Sequence, residues 1–259
     1  MSTGFKLNKI YRAGYCVGRG TLADRTLPWK KVRFYTRCFL LEHPKRGLVL
    51  IDTGYGKDLI QSTKKWIYSL YSALLPITYS PEYSIVVQLA KDGISLKDLS
   101  YLILTHFHPD HIGALPEFTE VPWIYRSDSL SRLMSFSKLR GLKHGFIHTL
   151  VPPIPKRSIA ISGEHFVEKW NSFLSIDLFG DGSLRLIDLP GHALGQIGVA
   201  TQDAFFIADA KWTADALPHR LGFLFQQDSK AYRKTFESIQ NIPLEIFPTH
   251  TIEGLCVKN

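Results

Sequence analysis

The sequence predicts an α/β fold in a single domain spanning residues 1–259, and two observations carry that expectation. Short apolar runs of strand length alternate with longer helix-compatible stretches, the pattern of sheets flanked by helices. Four of those runs also lead into a metal-capable side chain. Tyr101-Leu102-Ile103-Leu104 precedes His106, Leu186-Ile187-Asp188-Leu189 precedes His192, Phe205-Phe206-Ile207-Ala208 precedes Asp209, and Ile246-Phe247-Pro248-Thr249 precedes His250. Side chains standing just past strand ends can gather on one edge of a sheet stack. Because this set spreads across most of the chain, one domain is favoured over two.

The elements follow in order. Phe5 to Tyr11 and Arg33 to Glu42 read as strands, and a Pro-Lys-Arg-Gly turn at 44–47 joins the second to the strand Leu48 to Ile51. The polar, glycine-containing stretch from Gly14 to Lys31 predicts a loop reaching over a cleft. Lys57 to Leu75 is helix-compatible and Pro76 ends it. Ser84 to Lys91 predicts another helix, and Ser95 to Leu99 leads into the run at 101–104. Pro122 to Tyr125 reads as a strand and Ser127 to Leu139 as a helix. Residues 140–172 lack clean periodicity and contain Pro152, Pro153 and Pro155. Helical and loop insertions on the common scaffold are therefore expected near 57–92 and 126–172. Phe173 to Leu178, a Gly180-Asp181-Gly182 turn and Leu184 to Leu189 form a second hairpin. Ser229 to Ile239 fits a late helix.

Trp66 to Tyr79 is the most apolar candidate for an exposed segment. It reads as a wall or lid for a hydrophobic substrate tail, as a homodimer contact, or as a helix packed on the sheet. Phe223, Leu224 and Phe225 pose the same choice.

Composition is that of a water-soluble globular chain, with 45% hydrophobic and 21% charged residues. Cys16, Cys38 and Cys256 form no CxxC pair, so a disulfide framework is not expected. No secretory signal or bilayer-length apolar run is read, which leads to a reducing, cytoplasmic setting as the expectation. The net charge of +8 is densest from Lys138 to Arg157. Without a recognised nucleic-acid motif it reads as a solvated basic surface, with nucleic acid kept as a minority partner.

Thr105-His106-Phe107-His108-Pro109-Asp110-His111-Ile112-Gly113 carries the chemistry. Imidazole and carboxylate are ligands for zinc, iron and manganese. His106 and His108 are two apart and can converge on one ion. Asp110 and His111 follow a proline-bent turn and can point at a second.

The element His-x-His-x-Asp-His at 106–111, Pro-Gly-His at 190–192, Asp209 in Ile-Ala-Asp-Ala, His250, and Leu50-Ile51-Asp52-Thr53-Gly54 together resemble the metallo-β-lactamase superfamily. The resemblance runs from about residue 32 to residue 250. It implies a four-layered αβ/βα sandwich, two mixed β-sheets face to face with helices outside and metals at one edge. By position it implies that His106, His108 and His192 hold one ion, that Asp110, His111 and His250 hold another, and that Asp209 bridges them. Two divalent ions are then expected, zinc first, with iron, manganese or cobalt as alternatives. The implied nucleophile is a bridging hydroxide, formed because two ions about 3.5–4 Å apart lower the pKa of a shared water. In this role Asp110 hands a proton to the leaving alkoxide, while Asp52 accepts hydrogen bonds that orient the metal loop. Asp52 also reads as a turn former ahead of Thr-Gly.

The substrate is the open part. An aspartate bridge departs from the β-lactamase branches, and the compact stretch from Asp209 to His250 looks most like the acyl-homoserine lactonase branch. There a tyrosine often follows the bridging aspartate by three positions; here that position is Trp212, which cannot supply a phenolic proton. Lys211 is its neighbouring substitute. The expected activity is hydrolysis of a small-molecule ester or lactone with an apolar tail. The alternatives are a phosphodiesterase or nuclease of the same fold and a non-catalytic ligand-binding effector.

Overall fold

The computed structural model describes residues 4–22, 29–212 and 226–253. The run Phe223 to Phe225 and Cys256 therefore lie outside the described residues. Strands β1 (Lys6–Arg19), β2 (Lys31–His43) and β3 (Gly47–Ile51) open the chain. Helices α1 (Lys57–Thr63) and α2 (Ser69–Leu74), strand β4 (Ile77–Thr78) and helix α3 (Ile85–Lys91) follow. Next come β5 (Leu99–Ile103), the one-turn α4 (Pro109–Ile112), β6 (Trp123–Arg126), α5 (Ser127–Met134), α6 (Lys138–Lys143) and β7 (Ile159–Ile161). The second half holds β8 (Glu168–Trp170), β9 (Phe173–Asp177), β10 (Arg185–Asp188), β11 (Ile197–Ala200) and β12 (Ala204–Ala208). Helix α7 (Ser229–Ile239), β13 (Glu245–Pro248) and β14 (His250–Glu253) complete it.

Among the described residues these strands form two mixed sheets. The first runs β4-β1-β2-β3-β5-β6-β7 with β14 also on β2, and the second runs β13-β12-β11-β10-β9-β8. Alternation along the strands sorts side chains to opposite faces. Phe39, Ile51, Ile103 and Ile124 from the first sheet meet Leu186, Ile197, Val199 and Phe206 from the second in one buried cluster. Phe39 and Phe206 stand 4.9 Å apart across that seam. Their neighbours Leu40, Leu50 and Leu102 face outward, against Leu59 of α1, Ile85 and Leu89 of α3 and Leu130 of α5. Ile187, Phe205 and Ile207 face the other way, against Ile239 of α7. Each such buried side chain contributes about 1.5–3 kcal/mol relative to exposure. The result is the expected four-layered αβ/βα sandwich.

Four local expectations differ from the structure. Gly14 to Lys31 is not all loop, because β1 continues through Arg19. Gly14 (φ 91°) stands where the register against β2 shifts between Arg12 and Tyr15, so a bulge carries the strand onward. The helix-compatible stretch 57–75 divides, since Lys64 and Lys65 donate only three residues back, to Gln61 and Ser62 carbonyls, before the chain re-enters a helix. It is split in environment too: Tyr68, Tyr71 and Leu75 join the core whereas Trp66, Leu70 and Leu74 are exposed. Ser127 to Leu139 also divides, as the Ser137 hydroxyl accepts from Arg140 N and starts α6. Finally, residues 140–172 contribute β7, parallel to β6, and β8, antiparallel to β9. Three-residue strands are too short to show alternation in sequence.

Among the described residues no helix is long and apolar enough to cross a membrane. Cys16 and Cys38 are buried free thiols.

Candidate metal centre

The candidate ligands reach one edge of the sandwich by four routes. β5 runs parallel between β3 and β6, and its end delivers Thr105, His106 and His108. Pro109 then opens α4 in the first helical position, where its missing N–H costs nothing. One helical turn places Asp110 and His111 side by side, with His111 N donating to the His108 carbonyl at 3.0 Å. β10 leads through Pro190-Gly191 to His192. β12 ends at Ala208, whose left-handed backbone (φ 47°) turns Asp209 into the edge. The chain crosses from the second sheet to the first between β13 and β14, and the crossing sets His250 beside Thr36 of β2.

The side chains converge. His192 Nε2 lies 3.0 Å from His108 Nδ1 and 3.2 Å from Asp209 Oδ2. His250 Nε2 lies 3.3 Å from both Asp209 Oδ2 and Asp110 Oδ2. His111 Nε2 is 3.3 Å from Asp209 Oδ1. Two donor groups result, His106, His108, His192 and Asp209, and Asp110, His111, Asp209 and His250, each with its ligand atoms within 4.8 Å of one another. Asp209 belongs to both. The donor set fits divalent metal ions on a further observation. His106 Nε2, His111 Nε2, His250 Nε2 and Asp209 Oδ1 are buried in this cluster without a hydrogen-bond partner. Such atoms are costly unless something else coordinates them.

Outer contacts fix the rings. Asp52 accepts from Thr105 N at 2.8 Å and Thr105 Oγ1 at 2.7 Å, and sits 2.7 Å from His111 Nδ1. Thr53 N and Oγ1 both donate to the His111 carbonyl. His250 Nδ1 stands 3.3 Å from the Tyr35 carbonyl, leaving Nε2 toward the cluster.

Electrostatics divides the site. Burial pushes the His106 imidazole well below its usual range, and burial together with His192 pushes His108 down to about 3. A lowered value favours the neutral ring, the form in which imidazole binds metal, whereas the carboxylates around His111 and His250 favour positive charge beside them. For His111 burial acts downward, but Asp209, Asp52 and Asp110 outweigh it and hold the ring well above the usual value. For His250 the same contest, with Asp209 prevailing over burial, ends at about 9. Burial raises Asp209, yet His250 and His111 hold it well below the carboxylate range.

A cleft of about 600 Å³, open mouth included, lies over this edge. His108, Asp110, His192, Asp209 and His250 form its floor, and Cys16, Tyr55, Tyr71, Leu74, Leu75 and Leu142 contribute to its walls. Trp212 is a wall too, stacked on His250 with centroids 4.8 Å apart and edge-on to Phe34. Lys211 is not among the lining residues; it is buried with Nζ 5.3 Å from the Phe236 ring. Sequence reasoning missed Tyr55, Leu142 and Gly145 as cleft residues. The aromatic stretch 66–79 pointed toward Tyr71, whereas nothing in sequence distinguished Tyr55 or Gly145.

Comparison with known proteins agrees with this geometry. The profile of the Metallo-beta-lactamase superfamily matches residues 32–250. The chain is 26% identical over 195 residues to the probable metallo-hydrolase Rv2300c of Mycobacterium tuberculosis, covering 70% of this chain and 56% of that protein. It thus spans just over half the length of that relative. It is 26% identical over 197 residues to the N-acyl homoserine lactonase AttM of Azorhizobium caulinodans, covering 72% and 69% of the two chains. In three dimensions it resembles an N-acyl homoserine lactone hydrolase with N-hexanoyl-L-homoserine bound at its catalytic metal centre. That match has a TM-score of 0.73 at 20% identity, with 96% of this chain and 94% of the other covered. Two sheets with flanking helices, a shared-carboxylate donor cluster at their edge and a profile match across most of the sequence assign the chain to the metallo-β-lactamase superfamily.

Proposed function

We propose that this chain is a dinuclear metal-dependent hydrolase that cleaves an ester or lactone carrying an apolar tail, with acyl-homoserine lactones as the leading substrate class. The observation that carries the reading is the pair of buried donor groups sharing Asp209. His106, His108 and His192 would hold one divalent ion, Asp110, His111 and His250 the other, and Asp209 both. When bound, two such ions lower the pKa of a water toward neutrality and polarise the bond under attack. Zinc is the first candidate for this nitrogen and oxygen donor set.

The remaining work belongs to the chain. Asp110 is the more open carboxylate, its side chain 14% exposed against 2% for Asp209. Asp110, which also lines the cleft, is therefore the carboxylate placed to pass the proton given up by the attacking water to the departing alkoxide. Trp212 stiffens His250 by stacking and closes one wall to water. Tyr71 supplies the phenol that position 212 lacks: burial, reinforced by Asp110, keeps its hydroxyl protonated as a donor to a substrate oxygen. Leu74, Leu75 and Leu142 offer apolar wall to a tail. Similarity to the lactonase AttM supports the choice of substrate class.

The test is turnover of a panel of acyl-homoserine lactones and simple esters by zinc- or manganese-loaded protein. His106→Ala and Asp209→Ala are expected to abolish turnover while circular dichroism shows a retained fold. Undiminished turnover in both variants would remove the reading.

A further inference from the structure

The cleft mouth carries an exposed apolar stripe set in positive charge. Trp66 is 84% exposed and Leu74 73%; Leu70 and Leu74 stand on one face of α2 at four-residue spacing, and Trp66 is exposed in the turn that leads into that helix. Across the mouth Leu139 of α6 is 53% exposed. The two segments belong to one surface. Leu74 and Leu142 line the same cleft, and His148 joins their bases, 3.5 Å from Tyr68 Oη and 2.9 Å from the Phe136 carbonyl. Large apolar side chains left contiguous in water mark an interaction surface.

The charges that flank them along the chain have one sign. Lys64 and Lys65 immediately precede Trp66 and are exposed, and Lys138, Arg140 and Lys143 are exposed around Leu139. No acidic residue occurs between Asp58 and Glu82, nor between Asp128 and Glu164. A second copy of this chain fits poorly, because a two-fold contact would bring this basic rim against itself. An anionic bilayer surface satisfies both features. Aromatic and aliphatic side chains enter the headgroup boundary while lysines and arginines meet the lipid charge.

We propose that the α2–α6 face docks on anionic lipid bilayers through Trp66, Leu70, Leu74 and Leu139 with their surrounding basic residues, setting the cleft mouth at the membrane surface. The docking is peripheral and is independent of which bond the metal centre cleaves. Its test accordingly reads binding and not turnover.

The experiment is flotation of the full chain with vesicles of phosphatidylcholine alone and of phosphatidylcholine mixed with phosphatidylglycerol. Binding is expected to the mixed vesicles only and to weaken as salt is raised. A basic side chain near such a surface is worth a factor of about five in partitioning, so removing two with Lys64→Glu/Lys65→Glu lowers binding at least about 25-fold. Trp66→Ser/Leu70→Ser, which leaves the cleft lining untouched, is expected to lose vesicle binding with unchanged circular dichroism. Absence of binding to the mixed vesicles, or equal binding by wild type and both variants, overturns the proposal. So does a wild-type dimer in sedimentation velocity that becomes monomeric in Trp66→Ser/Leu70→Ser, because the stripe is then covered by a second copy.

Discussion

Asp52 and His111 are joined at 2.7 Å between Oδ2 and Nδ1, both side chains almost wholly buried. The contact assigns the Nδ1 proton to the Asp52 side of the ring and turns Nε2 toward Asp209 and Asp110. Asp52 achieves this with a left-handed backbone (φ 59°), a conformation aspartate and asparagine tolerate better than most residues. Its other hydrogen bonds, to Thr105, tie the same carboxylate to the root of the His106 loop.

Asp52→Asn keeps the backbone conformation but removes the charge that orients His111. Losing such an outer partner typically costs about 10–100-fold in metal affinity. Metal retention against a competing chelator, read by elemental analysis, is expected to fall by that order. Unchanged retention would show that Asp52 serves only the turn.

Gly145 borders His108 more closely than any side chain allows. It has φ 63°, and a Cβ built there would stand 2.7 Å from His108 Cδ2. Gly145→Ala is expected to displace that ring and to weaken zinc-induced stabilisation, measured as the rise in Tm on adding zinc. A rise equal to wild type would mean that the ring can shift without consequence.

Tyr71→Phe deletes one hydroxyl in the cleft and keeps the ring that packs in the core. If that phenol donates to a reacting oxygen, kcat falls about 10–100-fold with KM little changed. A KM effect alone would assign Tyr71 to the wall.

The acid limb of stability has an identifiable contributor. Arg126 donates from Nη2 to Asp128 at 2.9 Å and from Nη1 to Asp188 at 2.9 Å, bridging β6, α5 and β10. Its hydrogen bond holds the Asp128 carboxyl down at about 2, below the ordinary 3.8. A depressed folded value stabilises above the unfolded value and is lost as pH falls through the folded one. The Asp128 contribution is therefore complete above 3.8 and disappears toward about 2. Asp188 opposes it, since burial pushes that carboxyl up. Denaturation midpoints across that window should fall less steeply for Asp128→Asn than for wild type; parallel curves would count against the assignment.

Much of the site was legible because each ligand follows a run that buries itself. His106 after β5, Asp209 after β12 and His250 after β13 stand where sequence reasoning put them, at strand ends on one edge. The helix Ser229–Ile239 was equally legible, since Asp228 caps it and Tyr232, Phe236 and Ile239 repeat at helical spacing. Where pairing depends on a distant partner, the sequence was mute. Ile159–Ile161 is a strand only because β6 lies beside it, and Gly14 to Arg19 extends β1 only because β2 continues opposite. Lys211 and Trp212 are adjacent in sequence, yet one packs toward α7 and the other toward the cleft. The chain turns there, with Ala210 N donating to the Ile207 carbonyl, so alternation along β12 does not carry over to these two positions.

Whether these residues hydrolyse lactones is decided by titrating zinc into chelator-treated protein while following ring opening of a medium-chain acyl-homoserine lactone through released acid. The rate is expected to rise from background, to saturate near about two equivalents, and to stay at background in His106→Ala. A zinc-loaded, folded wild-type protein no faster than His106→Ala would contradict the assignment of these residues to lactone hydrolysis.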